Sequence, residues 1–269
     1  SNEILGTLFQ NMSGMGGIGC ASSGGYTMKY FVPLLFWFCK NPGLALPLIA
    51  LQYHEVKIIL NHTFGTDGPL TALTNRLWCD YIFLDTDERR RFAQVSHEYL
   101  IEQIQEQSLN TGTSSTTLKF NHPVKELIWT NSANFTTGSG KGSLTKVVTL
   151  TGDQQIDYLI KLNGHERFAA RDSRYFTRTQ IWQHHSGSGG LDSAVTVRTR
   201  GKCNDSIGVY SFALNPEDHQ PSGTCNFSRI DESEFVASGT GTNDANKMFA
   251  INYNVLRIMS GMGGLAYSN

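Results

Sequence analysis

The sequence predicts an all-β fold, a sandwich or jelly roll of short strands with one helix. Three observations carry this prediction. Glycine is abundant at 27 of 269 residues, charged residues make up only 17%, and several short segments alternate apolar with polar side chains. This composition suits strands joined by tight turns better than a helical bundle. Alternation with a period of two is typical of a strand that buries one face.

Length and charge narrow the classes of protein further. A chain of 269 residues, 39% of them hydrophobic, suffices for one large β domain or for one complete domain with part of another. The formal net charge is -1 and the pI is about 6.7. No overall positive field is therefore available to hold a phosphate backbone, and direct nucleic-acid binding is disfavoured.

The cysteine pattern favours synthesis in a reducing compartment. The five cysteines are an odd number, lie far apart and never form a CxxC spacing, which argues against a disulfide framework and against a zinc site. No charged segment precedes a short apolar stretch as in a secretory signal. The first residue is not Met, which fits a chain that starts within a longer protein. The cysteines are Cys20, Cys39, Cys79, Cys203 and Cys225.

The first third of the chain is expected to form buried strands. Its most apolar segment, residues 30–52, contains Lys40 and three prolines, so a membrane helix is disfavoured. The tripeptide Asn41-Pro42-Gly43 favours a turn between two of these strands. The strands are predicted at residues 30–39, 44–51, 53–60 and 77–84.

One helix is predicted next. Acidic residues precede Arg89, Arg90 and Arg91, and apolar residues then recur at helical spacing to about Gln107. The polar stretch 108–117 is typical of a linker, so a domain boundary is expected between residues 92 and 117. For the arginine run, a solvated helix start or a salt-bridged subunit contact is favoured over a DNA site.

A second β region follows the linker. Its clearest strand covers residues 156–162, where Ile156, Tyr158 and Ile160 alternate with polar neighbours. Glycine, serine and asparagine separate the strands, as in a sandwich or jelly roll. Further strands are predicted at residues 118–129, 144–151, 194–199, 206–214 and 248–258.

No motif with catalytic or metal-binding spacing is found. The segment GSGKGS at residues 138–143 lacks the GxxxxGK[ST] pattern of a phosphate loop. Adjacent His184 and His185 would face opposite sides of a strand and are expected to be solvent-exposed rather than ligands of one metal. His54-Glu55 and His97-Glu98 lack the second histidine of HExxH, and no GxSxG occurs.

The sequence therefore predicts no catalytic, no cofactor-binding and no metal-binding residue, and not an enzyme. The sequence alone leaves open a catalytic nucleophile and base that the fold brings together from distant positions. Five N-x-[ST] sequons are weak candidates for glycosylation, since host enzymes reach them only on a secretory route. They are Asn11, Asn61, Asn134, Asn204 and Asn226.

Several long strings resemble the major capsid proteins of nucleocytoplasmic large DNA viruses, especially those of algal viruses and iridovirus-like groups. They occur in the family's order and cover roughly residues 30–269. They are FWFCKNPGLALPLIALQYHEV from Phe36, LWCDYIFLDTDERRRFAQVSHEYLIEQ from Leu77, FNHPVKELIW from Phe120, YSFALNPEDHQPSGTCNFSRID from Tyr210 and FAINYNVLRIMSGMGGLAYSN from Phe249.

The resemblance implies a double jelly roll, with three chains forming a pseudo-hexameric capsomer of an icosahedral shell. This chain would be the C-terminal portion: residues 1–91 close the first roll, residues 92–117 form a connecting helix and linker, and residues 118–269 form the second roll. Most of the family's first roll is not matched, so open strand edges are expected between residues 30 and 84.

The implied partners are further copies of the chain, in a homotrimer and in neighbouring capsomers, together with minor capsid proteins. Glycans are a further candidate partner, whereas direct nucleic-acid binding and a transmembrane segment are not expected. The protein would be made in the host cytoplasm and reside in the virion. The segment at residues 215–223, NPEDHQPSG, is expected to position neighbouring strands.

A carbohydrate-binding, lectin-like sandwich is the alternative function, because lectins share jelly-roll architecture and fold does not fix function. Its signature would be exposed aromatic residues with polar neighbours. Trp129 and Trp182 are the candidates, although strand aromatics more often lie in a core.

Overall fold

The alternating pattern at residues 156–162 forms strand β5 (Ile156–Leu162), as predicted. Ile156, Tyr158 and Ile160 are fully buried, whereas Asp157 and Lys161 between them are partly exposed. Burial of the apolar face on a core therefore fixes this strand and its register.

The computed structural model describes residues 34–60, 76–131, 148–149, 153–186 and 207–267. They fall into two units: the larger holds described residues between 103 and 253, and the smaller holds described residues between 34 and 102 together with residues 254–267. The predicted strand at residues 194–199 and the segment at residues 138–143 lie outside the described residues.

Short strands dominate the described part of the chain. In order they are β1 (His97–Ser108), β2 (Ser115–Thr117), β3 (Pro123–Thr130), β4 (Val148–Thr149), β5, β6 (His165–Glu166), β7 (Arg171–Asp172), β8 (Ile207–Ser211), β9 (Cys225–Asn226), β10 (Ser233–Gly239), β11 (Thr242–Asn243), β12 (Lys247–Met259) and β13 (Met262–Leu265).

Helical segments are few. A nine-residue α-helix covers Thr86–Gln94, and a π-helical turn at Tyr175–Thr179 continues into the short α-helix Gln180–His184. Single 3-10 turns occur at Trp37–Cys39, Pro42–Leu44 and Phe227–Arg229.

Two sheets contain most of the described strands. One has the order β1-β12-β3-β8, with β9 beside β3 and β13 beside β12, and the other has the order β2-β10-β5-β6, with β7 beside β5. Strand β3 pairs antiparallel with both β12 and β8, and β10 pairs antiparallel with both β2 and β5. A short ladder joins β4 and β11.

An aromatic cluster fills the space between the two sheets. Trp129 of β3 lies 5.4 Å from Tyr158 of β5 and 5.1 Å from Phe235 of β10, measured between ring centroids. Phe176 of the π-helical turn joins them, 5.4 Å from Trp129. Because these residues come from both sheets and are almost fully buried, the larger unit is a sandwich with one common core.

The buried Tyr158 hydroxyl has a partner in this core. It donates to Asn243 Oδ1 at 2.9 Å. Burial raises the pKa of Tyr158 above its ordinary value, so the side chain stays neutral.

A hairpin of the smaller unit packs on the segment near Tyr53. Ser260 and Gly261, both at positive φ, turn the chain from β12 into β13. Tyr53 N donates to Gly261 O at 2.9 Å, and Gly263 N donates to His54 Nδ1 at 3.0 Å. His54 therefore has a structural partner here.

The predicted helix is present but its extent was wrong. It ends at Gln94, and Val95 already has extended backbone angles. Residues 97–108, which we expected to continue the helix, form β1, a neighbour of β12 in its sheet. Pairing with another strand outweighs the helix propensity of the many Glu and Gln residues in this segment.

The strands predicted in the first third are also not found in its described residues. Residues 34–60 contain the two 3-10 turns and no strand, and residues 77–84 have no regular structure. An extended segment needs a paired neighbour to become a strand, and the described residues supply none here. The turn at Asn41 does form, since its Oδ1 accepts a hydrogen bond from Gly43 N.

Candidate functional site

A loop between β8 and β9 is held by side chains from several elements, and we call residues 214–223 the anchored loop. Its two ends are joined directly. Asn215 N donates to Ser222 Oγ at 2.9 Å, and Ser222 Oγ donates to Asn215 O at 3.2 Å. Gly223 closes the loop at φ 147°, where a Cβ would lie 2.7 Å from Phe212 O. Glycine is therefore required at this position.

Lys125 of β3 forms the first anchor of the loop. Its side chain is 1% exposed, and its Nζ donates to Pro216 O at 2.6 Å. The same ammonium lies 5.5 Å from the ring centre of Tyr253. A buried charge is tolerated only with such partners, so Lys125 ties the first part of the loop, at Pro216, to the sheet.

Glu126, the next residue of β3, forms a second anchor together with His185 and Glu217. His185 Nε2 lies 3.0 Å from Glu126 Oε2, and His185 Nδ1 lies 3.3 Å from Glu217 Oε1. The Glu126 side chain is only 5% exposed. One imidazole thus joins a buried carboxylate of the sheet to an exposed carboxylate of the loop.

Ser186 completes this second anchor. Its backbone N and its Oγ both donate to Glu217 Oε1, at 3.0 and 3.1 Å. Burial would raise the pKa of the Glu217 carboxyl, but the hydrogen bonds from Ser186 and the nearby His185 outweigh burial, and this pKa lies below its ordinary value.

The His185 imidazole has a raised pKa. The main cause is its contact with Glu126; partial burial acts in the opposite direction, and Glu217 adds to the increase. Both carboxylates favour the protonated ring.

The arrangement does not resemble a catalytic relay. In a Ser-His-acid triad the hydroxyl donates to the imidazole, whereas the Ser186 hydroxyl donates to Glu217 and both ring nitrogens of His185 face carboxylates. Within the described ranges, no three His, Cys, Asp or Glu side chains are arranged to hold a metal ion.

The expectation for His184 and His185 was wrong in two respects. They lie at the end of the helix Gln180–His184 rather than on a strand, and both are partly buried. Successive residues at a helix end point about 100° apart, so both can reach the same loop. His184 Nδ1 lies 2.9 Å from Leu214 O, while His185 contacts the two carboxylates.

The two tryptophan candidates have opposite environments. Trp129 is fully buried in the core, and Trp182 is 78% exposed on the short helix. The helix with the arginine run is solvated, and Arg90 lies 3.8 Å from Asp87.

Two other motif residues have structural partners. His97 Nε2 lies 2.8 Å from Phe92 O, and Glu98 pairs with Arg257 at 2.7 Å. Among the sequons, Asn226 alone is a described residue, and its Oδ1 accepts from Ser228 N at 3.1 Å. Asn11, Asn61, Asn134 and Asn204 lie outside the described residues, and glycosylation stays a prediction.

No pattern in the sequence predicts the contacts that hold the anchored loop. Lys125, Glu126, His185 and Glu217 form no motif along the chain. The string NPEDHQPSG covers most of this loop, which lies between β8 and β9, two strands that both pair with β3. That the segment positions these strands stays a prediction.

Comparison with known proteins identifies the family. A family model described as the large eukaryotic DNA virus major capsid protein matches residues 88–264, and one described as the major capsid protein N-terminus matches residues 20–85. The major capsid protein of Pyramimonas orientalis virus is 52% identical over 260 residues, covering 89% of this chain and 61% of that protein. The major capsid protein of Paramecium bursaria Chlorella virus 1 is 40% identical over 310 residues, covering 91% of this chain and 68% of that protein.

A solved structure shares the fold. The chain in a quasi-atomic model of the PBCV-1 virus capsid matches with a TM-score of 0.67 at 36% identity, over 90% of this chain and 71% of that chain. The chain therefore belongs to the major capsid protein family of large eukaryotic DNA viruses. It spans about three fifths of the length of the Pyramimonas orientalis virus protein.

These findings confirm the recognised family and the all-β, jelly-roll fold class. They give no support to the lectin-like alternative. In the part of the chain that the structure describes, no helix has the length and apolar character needed to cross a membrane.

Proposed function

We propose that this chain is a structural subunit of an icosahedral virus shell, which assembles as a homotrimer into pseudo-hexameric capsomers. The observation that carries the proposal is the family match over residues 88–264. The architecture of the larger unit suits the role, because a shell tile needs a rigid body that tolerates large contacts at its surface.

Rigidity follows from the core and the anchored loop. The Trp129 cluster locks the two sheets together, and Lys125 and Glu126 fix a surface loop to the central strand β3. A loop held at several points keeps its shape when neighbouring subunits pack on it, so less ordering entropy is lost on assembly.

The smaller unit exposes several large apolar side chains. Phe83 is 93% exposed, Ile59 82% and Trp78 80%. We propose that contacts with other protein bury these side chains, since exposed apolar surface often marks an interaction site. We propose that residues 1–91 belong to the first jelly roll, that residues 92–117 connect the rolls and that residues 118–269 form the second.

The finer assignments follow from this role. The partners would be further copies of the chain and minor capsid proteins, the location would be the virion after synthesis in the host cytoplasm, and no catalytic activity is expected. Neither ring nitrogen of His185 is available to activate a nucleophile, and this supports a structural role for the cluster.

Light scattering tests the proposal. The product of the complete reading frame should elute with the mass of a trimer, and negative-stain images should show particles with a roughly hexagonal outline. A folded protein that stays monomeric at every concentration under native conditions would contradict the proposed assembly.

A further inference from the structure

The second anchor of the loop combines one imidazole with two carboxylates from separate segments. Glu126 belongs to β3, whose backbone is paired on both sides, with Ile251 of β12 and with Ser211 of β8. Glu217 belongs to the anchored loop, and His185 follows the short helix. The contact therefore connects a fixed strand to two peripheral segments through a single titratable ring.

We propose that Glu126, His185 and Glu217 form a pH-sensitive clasp, which holds the anchored loop and the helix end on β3 while His185 is protonated and releases them when it loses its proton. The clasp lies entirely in the larger unit and does not depend on how subunits assemble.

The proton count of the imidazole explains the switch. A protonated ring carries a positive charge, with Nε2 3.0 Å from Glu126 Oε2 and Nδ1 3.3 Å from Glu217 Oε1, whereas a neutral ring carries none. Loss of the proton also leaves the buried Glu126 carboxylate without a positive partner, which is costly at 5% exposure.

The other polar groups around the ring do not replace its charge. His184, on the same helix, directs Nδ1 to Leu214 O. Lys125, from β3, directs its ammonium to Pro216 O. Ser211 of β8 is not titratable, and the Ser186 donors serve Glu217. Glu126 and Glu217 are thus the charged groups in contact with His185 among the described residues.

The direction of the pH dependence follows from both partners. The raised pKa of His185, due first to Glu126, gives stability that is complete below the ordinary histidine value of 6.5 and is lost as pH rises through the raised value. Burial would raise the pKa of Glu217, but the contacts with Ser186 and His185 outweigh burial and lower it. The lowered pKa gives stability that is present above the ordinary glutamate value of 4.5 and is lost as pH falls through the lowered value. The clasp is therefore strongest between these two values.

Hydrogen exchange at the Ser186 amide tests the clasp, because this N–H donates to Glu217. In the wild-type protein its protection factor should fall roughly tenfold between about pH 6 and about pH 8.5, the loss expected for one hydrogen bond to a charged group. In His185→Gln, protection should be low at both pH values. In His185→Lys, which keeps a positive charge at both, protection should persist at the higher pH.

His165→Gln is the matched control, since His165 lies exposed on β6. It should retain the wild-type pH profile at Ser186. The clasp would be refuted if wild-type protection did not change with pH beyond the intrinsic exchange rate, or if His185→Gln kept the wild-type profile. Amides of β5 should stay protected in every variant, which separates local release from unfolding.

Discussion

Gly208 of β8 lies directly opposite Trp129 of β3, and the Trp129 indole occupies the space that a side chain at position 208 would need. The atoms in the way belong to a fully buried ring in contact with Tyr158 and Phe235. The ring therefore cannot move without disturbing both sheets.

Gly208→Ala should destabilise the protein by about 1–3 kcal/mol, the usual cost of overpacking a core. The added methyl group forces the indole out of its position between the sheets. Chemical denaturation followed by tryptophan fluorescence measures the change.

Gly264→Ala is the matched control for this substitution. A Cβ at position 264 would meet no atom within 4 Å, and the backbone there has no positive φ. Its effect should stay within about 0.5 kcal/mol. Equal losses of stability in the two variants would show that the indole is not the cause.

Lys125→Met should cost about 1–3 kcal/mol, because it keeps most of the packing volume but removes the donor to Pro216 O. Exchange at the loop amides should increase as well, since the loop loses its anchor at Pro216. Lys119→Met, at an exposed position, should leave both quantities nearly unchanged. Unchanged loop exchange in Lys125→Met would mean that the loop is held by its other contacts.

Gln105→Ala should destabilise the protein by about 1–2 kcal/mol. The Gln105 side chain bonds both backbone groups of Asn121, donating to its O at 2.7 Å and accepting from its N at 3.0 Å, and it also donates to Asn252 Oδ1. Thermal unfolding of the purified variant measures the loss.

Glu106→Ala provides the comparison on the same strand. Glu106 pairs with Lys247, but both side chains are well exposed, and such pairs contribute about 0.5 kcal/mol or less. A larger effect at Glu106 than at Gln105 would reverse the ranking that burial and backbone contacts imply.

Strands with a simple apolar pattern could be predicted from the sequence. The alternation at Ile156, Tyr158 and Ile160 gave β5 correctly, and residues 248–258 gave most of β12. In both cases one buried face imposes the period of two. The long strings shared with the family supplied the jelly-roll class, which alternation alone left open between several β architectures.

Segments whose structure depends on distant partners could not be predicted. Tyr99, Leu100 and Ile104 fit a helical spacing, yet they belong to β1 because that segment lies beside β12. The contact of His185 with Glu126 and Glu217 has no local signal either, since only the folded chain brings β3, the helix end and the loop together. The division at residues 91 and 117 stays a prediction.

Cryo-electron microscopy of purified virus particles that carry this sequence tests the central claim most directly. Each capsomer of the shell should contain three copies of the chain, with density for the two-sheet sandwich, the Trp129 indole in its core and the anchored loop beside β3. A shell built from another protein, with this chain absent from the capsomers, would contradict the account.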